Sequence, residues 1–500
     1  MATDNKYDRQ LRLWGSEGQH LLNTSRVCML GSSGLSSESL KNLVLPGIGF
    51  FTIVDDTLVT ERDLGENFFV TQSDLGKPRA DVVKTYLLEL NPDVQGESLI
   101  QSIPSVLSNP SFFQTYSLII ACQLSFSEIR TLGAICEQNN KKLIVAKSNG
   151  LLGYLRIYCK EHLVIESKPS DKEIYDLRLY EPFPELLAYA ESISLDGIQD
   201  IYHSHIPFIV LLVKFLKEWT ETHGTKPRNM EEKTRFKDFV KGKSRDFFAQ
   251  LNFQEAVSKA YLCFLEEKLP SEVMDILNDE KSVNADVNSE DFWICAKAVK
   301  EFMDRNQTVP LSGIFSDMTS DTNSYITLQN IYKNRADCDY IEVLQNYQRI
   351  KGTNQEPEIV RQFCKNLQTL EVTRFRSLES EFLSINAESI DEDEFEESKS
   401  LEWYLALRAL DWFIQDQNRE PTQDDKETLI KHTETLGKSI ASEIAEEIIR
   451  FGKSELHCIS AFIGGALSQE AVKLITHQYT PINNTFLFNS VHTTAVVLNL

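Results

Sequence analysis

The segment between residues 26 and 56 constrains the fold of this chain more than any other. An apolar run, residues 26–30, leads into the turn Gly31-Ser32-Ser33-Gly34, and residues 35–45 then place leucine and valine on one helical face. A second apolar run, residues 50–54, ends in two aspartates. A strand, a glycine-containing turn, a helix and a strand with an acidic tip within about 30 residues are typical of a βαβ mononucleotide-binding unit.

The turn of this unit lacks most of the groups that hold a nucleotide. Only Gly31 fits the G-x-G-x-x-G pattern, because Ser33 and Ser36 occupy the second and third glycine positions. A side chain at Ser33 would crowd a pyrophosphate, whereas Asp55 remains as a candidate acceptor for a ribose hydroxyl. Two interpretations stay open, namely a degraded nucleotide site and a βαβ unit that only holds a sheet together.

The charge of the chain limits its classes of partner. The chain has 500 residues and a formal net charge of -23, and this length predicts about two to four domains. Nucleic acid and anionic membranes repel an acidic protein, so neither is expected as a partner. The nine cysteines are scattered without a C-x-x-C pair, which is typical of reduced thiols. No secretory leader is recognisable, and a cytoplasmic or nuclear location is therefore expected.

The order of the patterns predicts an α/β domain that is split by an insertion. Apolar runs and helical segments alternate through residue 165, which indicates a mostly parallel sheet covered on both faces. Helical periodicity then dominates residues 166–452. Residues 453–500 return to α/β character, with a helix whose glycines Gly464 and Gly465 would permit close packing. The predicted domains are therefore 1–165, the helical insertion 166–452, and the closing part 453–500.

Two further patterns have plain interpretations. His203 and His205 would lie on different sides of a helix, so a polar lead-in to the apolar helix at Phe208 explains them better than a metal site. The acidic run at residues 391–397 is predicted to be a solvated loop.

No cysteine has the setting of an activated nucleophile. Three of them lie in apolar runs, where a thiol packs as a small hydrophobic group: Cys28, Cys122 and Cys295. Cys263 and Cys458 lie on predicted helices, and His457 cannot activate Cys458 because adjacent helical residues do not face each other. We therefore expect no catalytic cysteine.

Several motifs together resemble the activating enzymes of ubiquitin-like proteins. The general ones are Tyr7-Asp8-Arg9-Gln10-Leu11-Arg12-Leu13-Trp14-Gly15, the strand, turn and helix of residues 26–45, the loop of residues 42–49, and Gly464-Gly465. Motifs in the insertion favour, within that family, the regulatory subunits of neddylation activating enzymes: residues 176–179 with 182–186, and residues 317–318 followed by Tyr325, residues 328–330 and Tyr332. The resemblance spans essentially the whole chain. It implies a Rossmann-like, ThiF-type pseudo-adenylation domain with a mainly helical insertion.

In the active members of this family, one site binds ATP and magnesium and adenylates the modifier, and a cysteine then takes the modifier as a thioester. By resemblance, most ATP positions differ in this chain. The family's Asn-Arg-Gln run becomes Gly65-Glu66-Asn67, so that a carboxylate stands where an arginine meets a phosphate. The family's lysine falls on Arg79, and its magnesium-binding aspartate falls on Gln123, which cannot supply the charge. The resemblance therefore implies no cofactor and no metal in this chain.

The resemblance implies instead a role beside an active partner. The family's enzymes are pseudo-symmetric pairs of adenylation folds, and Arg9 matches the arginine that reaches from the inactive half into the partner's ATP site. There it would stabilise charge that develops on the phosphates, and Arg12 is the weaker candidate. The implied partners are the catalytic subunit with its ATP and magnesium, the ubiquitin-like modifier, and, through the complex, the conjugating enzyme.

Three other functions remain open on the sequence. A pure protein-binding adaptor would need no chemistry from Arg9. A self-sufficient adenylating enzyme would need an intact set of phosphate-binding groups. A dinucleotide-dependent oxidoreductase would need the missing glycines and a catalytic acid or base near them.

Overall fold

A computed structural model describes residues 6–166, 177–264, 269–383 and 399–500. Asp176 and the acidic run at residues 391–397 lie outside these ranges, so the interpretations given for them stay predictions. The chain divides into two compact units. The first unit consists of Met1–Val164 and Val372–Leu500, and the second is Ile165–Glu371.

The described residues form the following elements. The strands are β1 Arg26–Leu30, β2 Phe50–Val54, β3 Gln95–Leu99, β4 Leu118–Cys122, β5 Leu143–Asn149, β6 Leu152–Tyr158, β7 His162–Val164, β8 Glu371–Thr373, β9 Thr485–Asn489 and β10 Thr494–Leu498. The helices are α1 Asp8–Thr24, α2 Gly34–Val44, α3 Glu61–Glu66, α4 Arg79–Leu90, α5 Ile103–Leu107, α6 Phe126–Gln138, α7 Pro184–Ser192, α8 Asp200–His203, α9 Phe208–His223, α10 Met230–Gly242, α11 Leu251–Lys259, α12 Ser271–Asn278, α13 Glu280–Val283, α14 Asp291–Asn306, α15 Thr322–Lys351, α16 Glu358–Lys365, α17 Leu378–Leu383, α18 Ser400–Gln417, α19 Lys426–Thr435, α20 Ser442–Phe451 and α21 His457–Thr476.

Eight strands of the first unit form one mixed sheet in the order β10-β9-β6-β5-β4-β1-β2-β3. Five neighbouring strands, β5, β4, β1, β2 and β3, run parallel to one another. The pairs β5–β6, β6–β9 and β9–β10 are antiparallel. β4 is buried along its whole length, as expected for a parallel strand with helices on both faces. The predicted Rossmann-like α/β fold with a mostly parallel sheet is thereby confirmed. The carboxyl ends of β1, β2 and β4 bring Gly31, Asp55 and Gln123 to one edge of the sheet.

The closing helix α21 packs closely against α2 at Gly464. A Cβ atom on Gly464 would lie 3.0 Å from the Cβ of Glu38 and 3.0 Å from the backbone nitrogen of Ser39. A Cβ on Gly465 would meet nothing within 4 Å. Of the two glycines, Gly464 is therefore the one that the close packing requires. Among the described helices, α21 alone has the length and composition of a membrane span, and 56% of that stretch is buried, as in a core helix.

The return of the chain to the first unit differs from the predicted boundary at residue 453. Trp403 and Tyr404 of α18 and Ile448 of α20 share one apolar core with Leu152 of β6 and Leu487 of β9. These helices therefore belong to the unit that contains the sheet, and the division falls at Val372. Periodicity cannot reveal this, because a helix that covers a sheet and a helix in an insertion are amphipathic in the same way.

The second unit is built around the apolar helix α9. Its residues from Phe208 to Val213 are all buried, which confirms the helix predicted to begin there. Arg178 is also buried, and it donates to the Asp339 carboxylate at 2.6 Å and to the Val309 carbonyl at 2.6 Å. The insertion motif that contains Arg178 therefore fixes the packing of this unit.

Candidate functional site

A cleft of about 690 Å³ opens in the first unit at the carboxyl ends of the parallel strands. Open α/β sheets bind their ligands at this edge. The ionisable residues in its lining are Arg62, Arg79, Lys147, Lys453, Asp63, Glu66, Glu128, Asp411 and Glu455. Five acidic and four basic side chains share this lining, so the cleft has no excess of basic side chains to attract a polyphosphate.

The carboxylate of Asp55, which follows the last residue of β2, is hydrogen-bonded to other groups of the chain. Its Oδ2 accepts hydrogen bonds from the Ser32 backbone N–H at 2.9 Å, the Ser32 hydroxyl at 2.5 Å and Arg79 Nη2 at 3.0 Å. Its Oδ1 accepts from the Thr57 N–H at 2.9 Å. Burial opposes ionisation, but the Arg79 charge and these hydrogen bonds hold the pKa of Asp55 below its ordinary value. The carboxylate that the sequence offered to a ribose is therefore already engaged.

Arg79 balances two carboxylates beneath the cleft. Besides Asp55, it pairs with Asp63 at 2.5 Å, and its Nε donates to the Ser32 hydroxyl at 2.9 Å. Burial disfavours its charge, yet Asp55 and Asp63 raise the pKa of Arg79 above its ordinary value. At the position of the family's lysine, the chain thus holds an internal counter-ion.

A carboxylate from the other end of the chain closes the N-terminus of α2. The Oε2 of Glu455 accepts the Leu35 backbone N–H at 3.2 Å, and the Glu455 N–H donates to Glu66 Oε1 at 3.2 Å. Phosphates bind at helix N-termini of this kind. A Cβ on Gly34 would lie only 2.3 Å from the Glu66 carbonyl oxygen, so backbone also fills this space. Burial raises the pKa of Glu455 above its ordinary value.

Gln123 joins two strand ends at the position of the family's magnesium ligand. Its Nε2 donates to the Ser148 carbonyl at 2.7 Å, and its Oε1 accepts the Ser148 N–H at 3.2 Å. A neutral amide with both polar atoms in backbone hydrogen bonds is a poor ligand for a hard cation. Together with the engaged Asp55 and the carboxylate at α2, these residues do not fit a nucleotide with magnesium.

The cysteines considered above as possible nucleophiles differ in exposure. Four of them are buried: Cys28, Cys122, Cys263 and Cys295. Burial raises the pKa of Cys122 to about 12, which disfavours a thiolate. Cys458 is exposed in the first turn of α21, and Cys338 is exposed on α15. Sequence reasoning did not single out Cys338, because no pattern marks an exposed position on a long mixed helix.

The histidine pair of the second unit has separate surroundings. His203 is buried, stacks on Phe253 with ring centroids 5.1 Å apart, and lies 2.8 Å from Gln250 Nε2 through its Nδ1. His205 is exposed, and its Nδ1 lies 2.7 Å from the Ile201 carbonyl. No group of potential metal-binding side chains occurs within the described ranges.

Arg9 lies on the exposed side of α1. In the described part of the chain, no hydrogen bond or ion pair involves its guanidinium. Arg12, nearly one turn further on, pairs with Asp8 at 2.8 Å. Arg9 is therefore available to another molecule, whereas Arg12 has an internal counter-ion.

Known proteins resemble this chain over nearly its full length. The model of the ThiF family matches residues 7–498. The NEDD8-activating enzyme E1 regulatory subunit AXL of Arabidopsis thaliana is 39% identical over 97% of this chain and 97% of its own. The NEDD8-activating enzyme E1 regulatory subunit of Xenopus laevis is 38% identical over 99% and 98% of the two chains. That of Danio rerio is 36% identical over 100% and 99%.

Proposed function

Because this chain belongs to the ThiF family, and within it to the regulatory subunits of NEDD8-activating E1 enzymes, we propose that it is the non-catalytic half of a heterodimer that activates a ubiquitin-like modifier. The catalytic partner subunit binds ATP and magnesium and adenylates the modifier, and this chain supplies half of the adenylation scaffold. The contact between Glu455 and the Leu35 N–H carries the proposal, because a carboxylate of the chain occupies the helix terminus that would bind a phosphate.

Arg9 is the residue through which this chain takes part in the chemistry. A guanidinium keeps its charge at every physiological pH and can bind phosphate oxygens in a bidentate manner. In the partner's ATP site it stabilises charge that develops on the phosphates during adenylation. Its exposure, and its lack of a partner in the ranges that the structure describes, support this role.

The second unit provides surface rather than a nucleophile. Cys263 and Cys295 are buried in it, and burial raises the pKa of both thiols. The unit therefore frames the modifier while the partner's cysteine forms the thioester, and the conjugating enzyme meets this chain through the complex.

ATP–pyrophosphate exchange driven by the modifier tests the proposal. It is measured with this chain alone, with the catalytic subunit alone, and with the two together. We expect exchange only in the mixture. Exchange by this chain alone would contradict the proposal and favour a self-sufficient adenylating enzyme. A rise in melting temperature with NAD would instead favour an oxidoreductase.

The role of Arg9 is tested in the same mixture with Arg9→Ala, and Arg12→Ala is the matched control. Loss of a group that stabilises developing charge lowers the rate about 100-fold. We expect a loss of this size for Arg9→Ala, with formation of the heterodimer unchanged. Arg12→Ala should exchange close to normally, since Arg12 already pairs with Asp8. Undiminished exchange by the Arg9 variant would leave this chain as a pure adaptor.

A further inference from the structure

The segment that carries Arg9 is docked onto the first unit by Tyr7. The Tyr7 hydroxyl donates to Asp93 Oδ2 at 3.0 Å and accepts from Asn91 Nδ2 at 3.2 Å. The end of the side chain rests on Gly47, where a Cβ would lie 2.7 Å from the Tyr7 hydroxyl oxygen and 2.9 Å from its Cζ. Gly47 also has a φ of +88°, a conformation that favours glycine. The opening motif and the loop of residues 42–49, which the sequence marked separately, therefore meet at this contact.

The residue that receives the Tyr7 hydroxyl is itself held rigidly. Asn91 is fully buried, and its Nδ2 also donates to the Val44 carbonyl at 2.8 Å. Its Oδ1 accepts the Asp93 N–H at 3.1 Å. Asn91 thus joins the end of α4 to the end of α2, and Tyr7 is tied to both helices.

A second anchor follows Arg9 in the chain. The Trp14 carbonyl accepts a hydrogen bond from Gln478 Nε2 at 2.7 Å. The Trp14 indole donates to Gln19 at 3.1 Å, and the helix bends between them at Gly15, whose φ is +69°. The first turns of α1 are therefore fixed at both ends, and the direction of Arg9 depends on these anchors.

We propose that Tyr7 is a positioning residue for Arg9, because its docking on Gly47 and Asn91 sets the direction in which α1 presents the guanidinium to the partner subunit. This inference rests on the proposed function, since Arg9 acts in the partner's ATP site. Small displacements of a group that must meet a transition state reduce rates strongly. In this proposal Tyr7 acts through Arg9 and is not itself a catalytic residue.

A double-mutant cycle in the assembled heterodimer tests this inference. The variants are Tyr7→Ala, Tyr7→Phe, Arg9→Ala and the double variant Tyr7→Ala with Arg9→Ala. Tyr86→Phe is the matched control, because it removes a hydroxyl that donates to Asp74 at 3.4 Å, away from α1. Pairing is measured by size-exclusion chromatography, and kcat and KM for ATP are measured by modifier-driven pyrophosphate exchange.

We expect Tyr7→Ala to lower kcat about tenfold through misplacement of Arg9, with pairing unchanged. Tyr7→Phe should lose less, because its ring still rests on Gly47, and Tyr86→Phe should match the wild type. In the Arg9→Ala background, Tyr7→Ala should cause no additional loss, because residues that act through one another are not additive. This last result separates positioning from a general structural effect.

Other outcomes contradict the inference in distinct ways. Losses that multiply in the double variant would show that Tyr7 acts independently of Arg9. Normal exchange by Tyr7→Ala, with Arg9→Ala impaired, would overturn the inference and leave the proposed function intact. Normal exchange by Arg9→Ala would overturn both. Should Tyr7→Ala fail to pair, the same cycle is carried out with Tyr7→Phe, in which equal losses with and without Arg9 would overturn the inference.

Discussion

Single residues stabilise the cleft through ion pairs within the chain. The Arg79 side chain is 18% exposed and sits between the carboxylates of Asp55 and Asp63. Removal of one partner from a buried ionic cluster leaves its other members without compensation, and such a loss costs about 3–5 kcal/mol. Arg79 therefore contributes to stability at the place where a related enzyme would use a cation for its substrate.

We expect Arg79→Ala to lower the free energy of unfolding by about 3 kcal/mol. Urea denaturation followed by circular dichroism measures this difference. Arg62→Ala is the matched control, since Arg62 is exposed and pairs with Glu66 at 2.9 Å, and exposed pairs contribute under about 1 kcal/mol. Similar losses in the two variants would contradict the assignment of Arg79 as the central counter-ion.

The two exposed cysteines named above give a second prediction at this scale. If the partner subunit carries the nucleophile, the double variant Cys338→Ser with Cys458→Ser should form the modifier thioester at the normal rate in the heterodimer. Non-reducing electrophoresis of the loaded complex measures the thioester and shows which chain carries it. Modifier that is linked to this chain in the wild type and lost in the double variant would contradict a non-catalytic role.

The sequence indicated departures from a nucleotide site, but it did not indicate the contacts that these residues make within the chain. The departures at Glu66 and Gln123 are visible because each residue type conflicts with the chemistry that the family's motif needs at that position. Glu455 is not visible, since it meets Leu35 across 420 residues of chain and no local pattern marks such a contact. The pairing of Asp55 with Arg79 likewise depends on where α4 begins relative to β2.

The sequence indicated where helices lie along the chain, but it did not indicate which elements each helix packs against. Helical patterns gave the positions of α2 and α21, and a continuous apolar run gave the start of α9. It did not indicate that α18 and α20 cover the sheet. The glycine pair on α21 is a case in which a local pattern did indicate a contact, although the structure uses Gly464 rather than both residues.

The two glycines of α21 provide a matched pair of variants. We expect Gly464→Ala to destabilise the protein by about 1–3 kcal/mol, because the added methyl group would force α21 away from α2. Gly465→Ala should be neutral or stabilising by up to about 1 kcal/mol, because alanine favours a helix and open space surrounds the site. Thermal unfolding of both variants measures the contrast. Equal melting temperatures would contradict the close packing at Gly464.

At the scale of the whole molecule, the first unit is assembled from both ends of the chain. His162 of β7 stacks on His477, which follows α21, with ring centroids 5.0 Å apart. Lys142 lies against the same pair, 2.8 Å from His477 Nε2. Burial and the Lys142 charge lower the pKa of His162 to about 4 and that of His477 to about 3. The join between the two parts thus depends on neutral imidazoles.

This arrangement predicts that the protein loses stability in mild acid. In the unfolded chain these histidines gain protons near pH 6.5, whereas in the folded state they stay neutral until about pH 4. The unfolded state therefore binds more protons in this window, and stability falls as the pH falls. His162 alone accounts for about 3 kcal/mol. Urea denaturation from pH 7 to pH 4.5 measures the slope, which His162→Gln should reduce and the exposed-site variant His205→Gln should not.

The contact between Glu455 and the start of α2 bears on how such a chain can evolve. Asp55, Arg79 and Glu455 stand where a nucleotide would be held, and each has hydrogen-bond partners within the chain. Replacing one of them with a ligand-binding residue would therefore lower stability before any binding is gained. Several changes, at positions separated by most of the sequence, would have to occur together. The network therefore opposes a return to nucleotide binding by single substitutions.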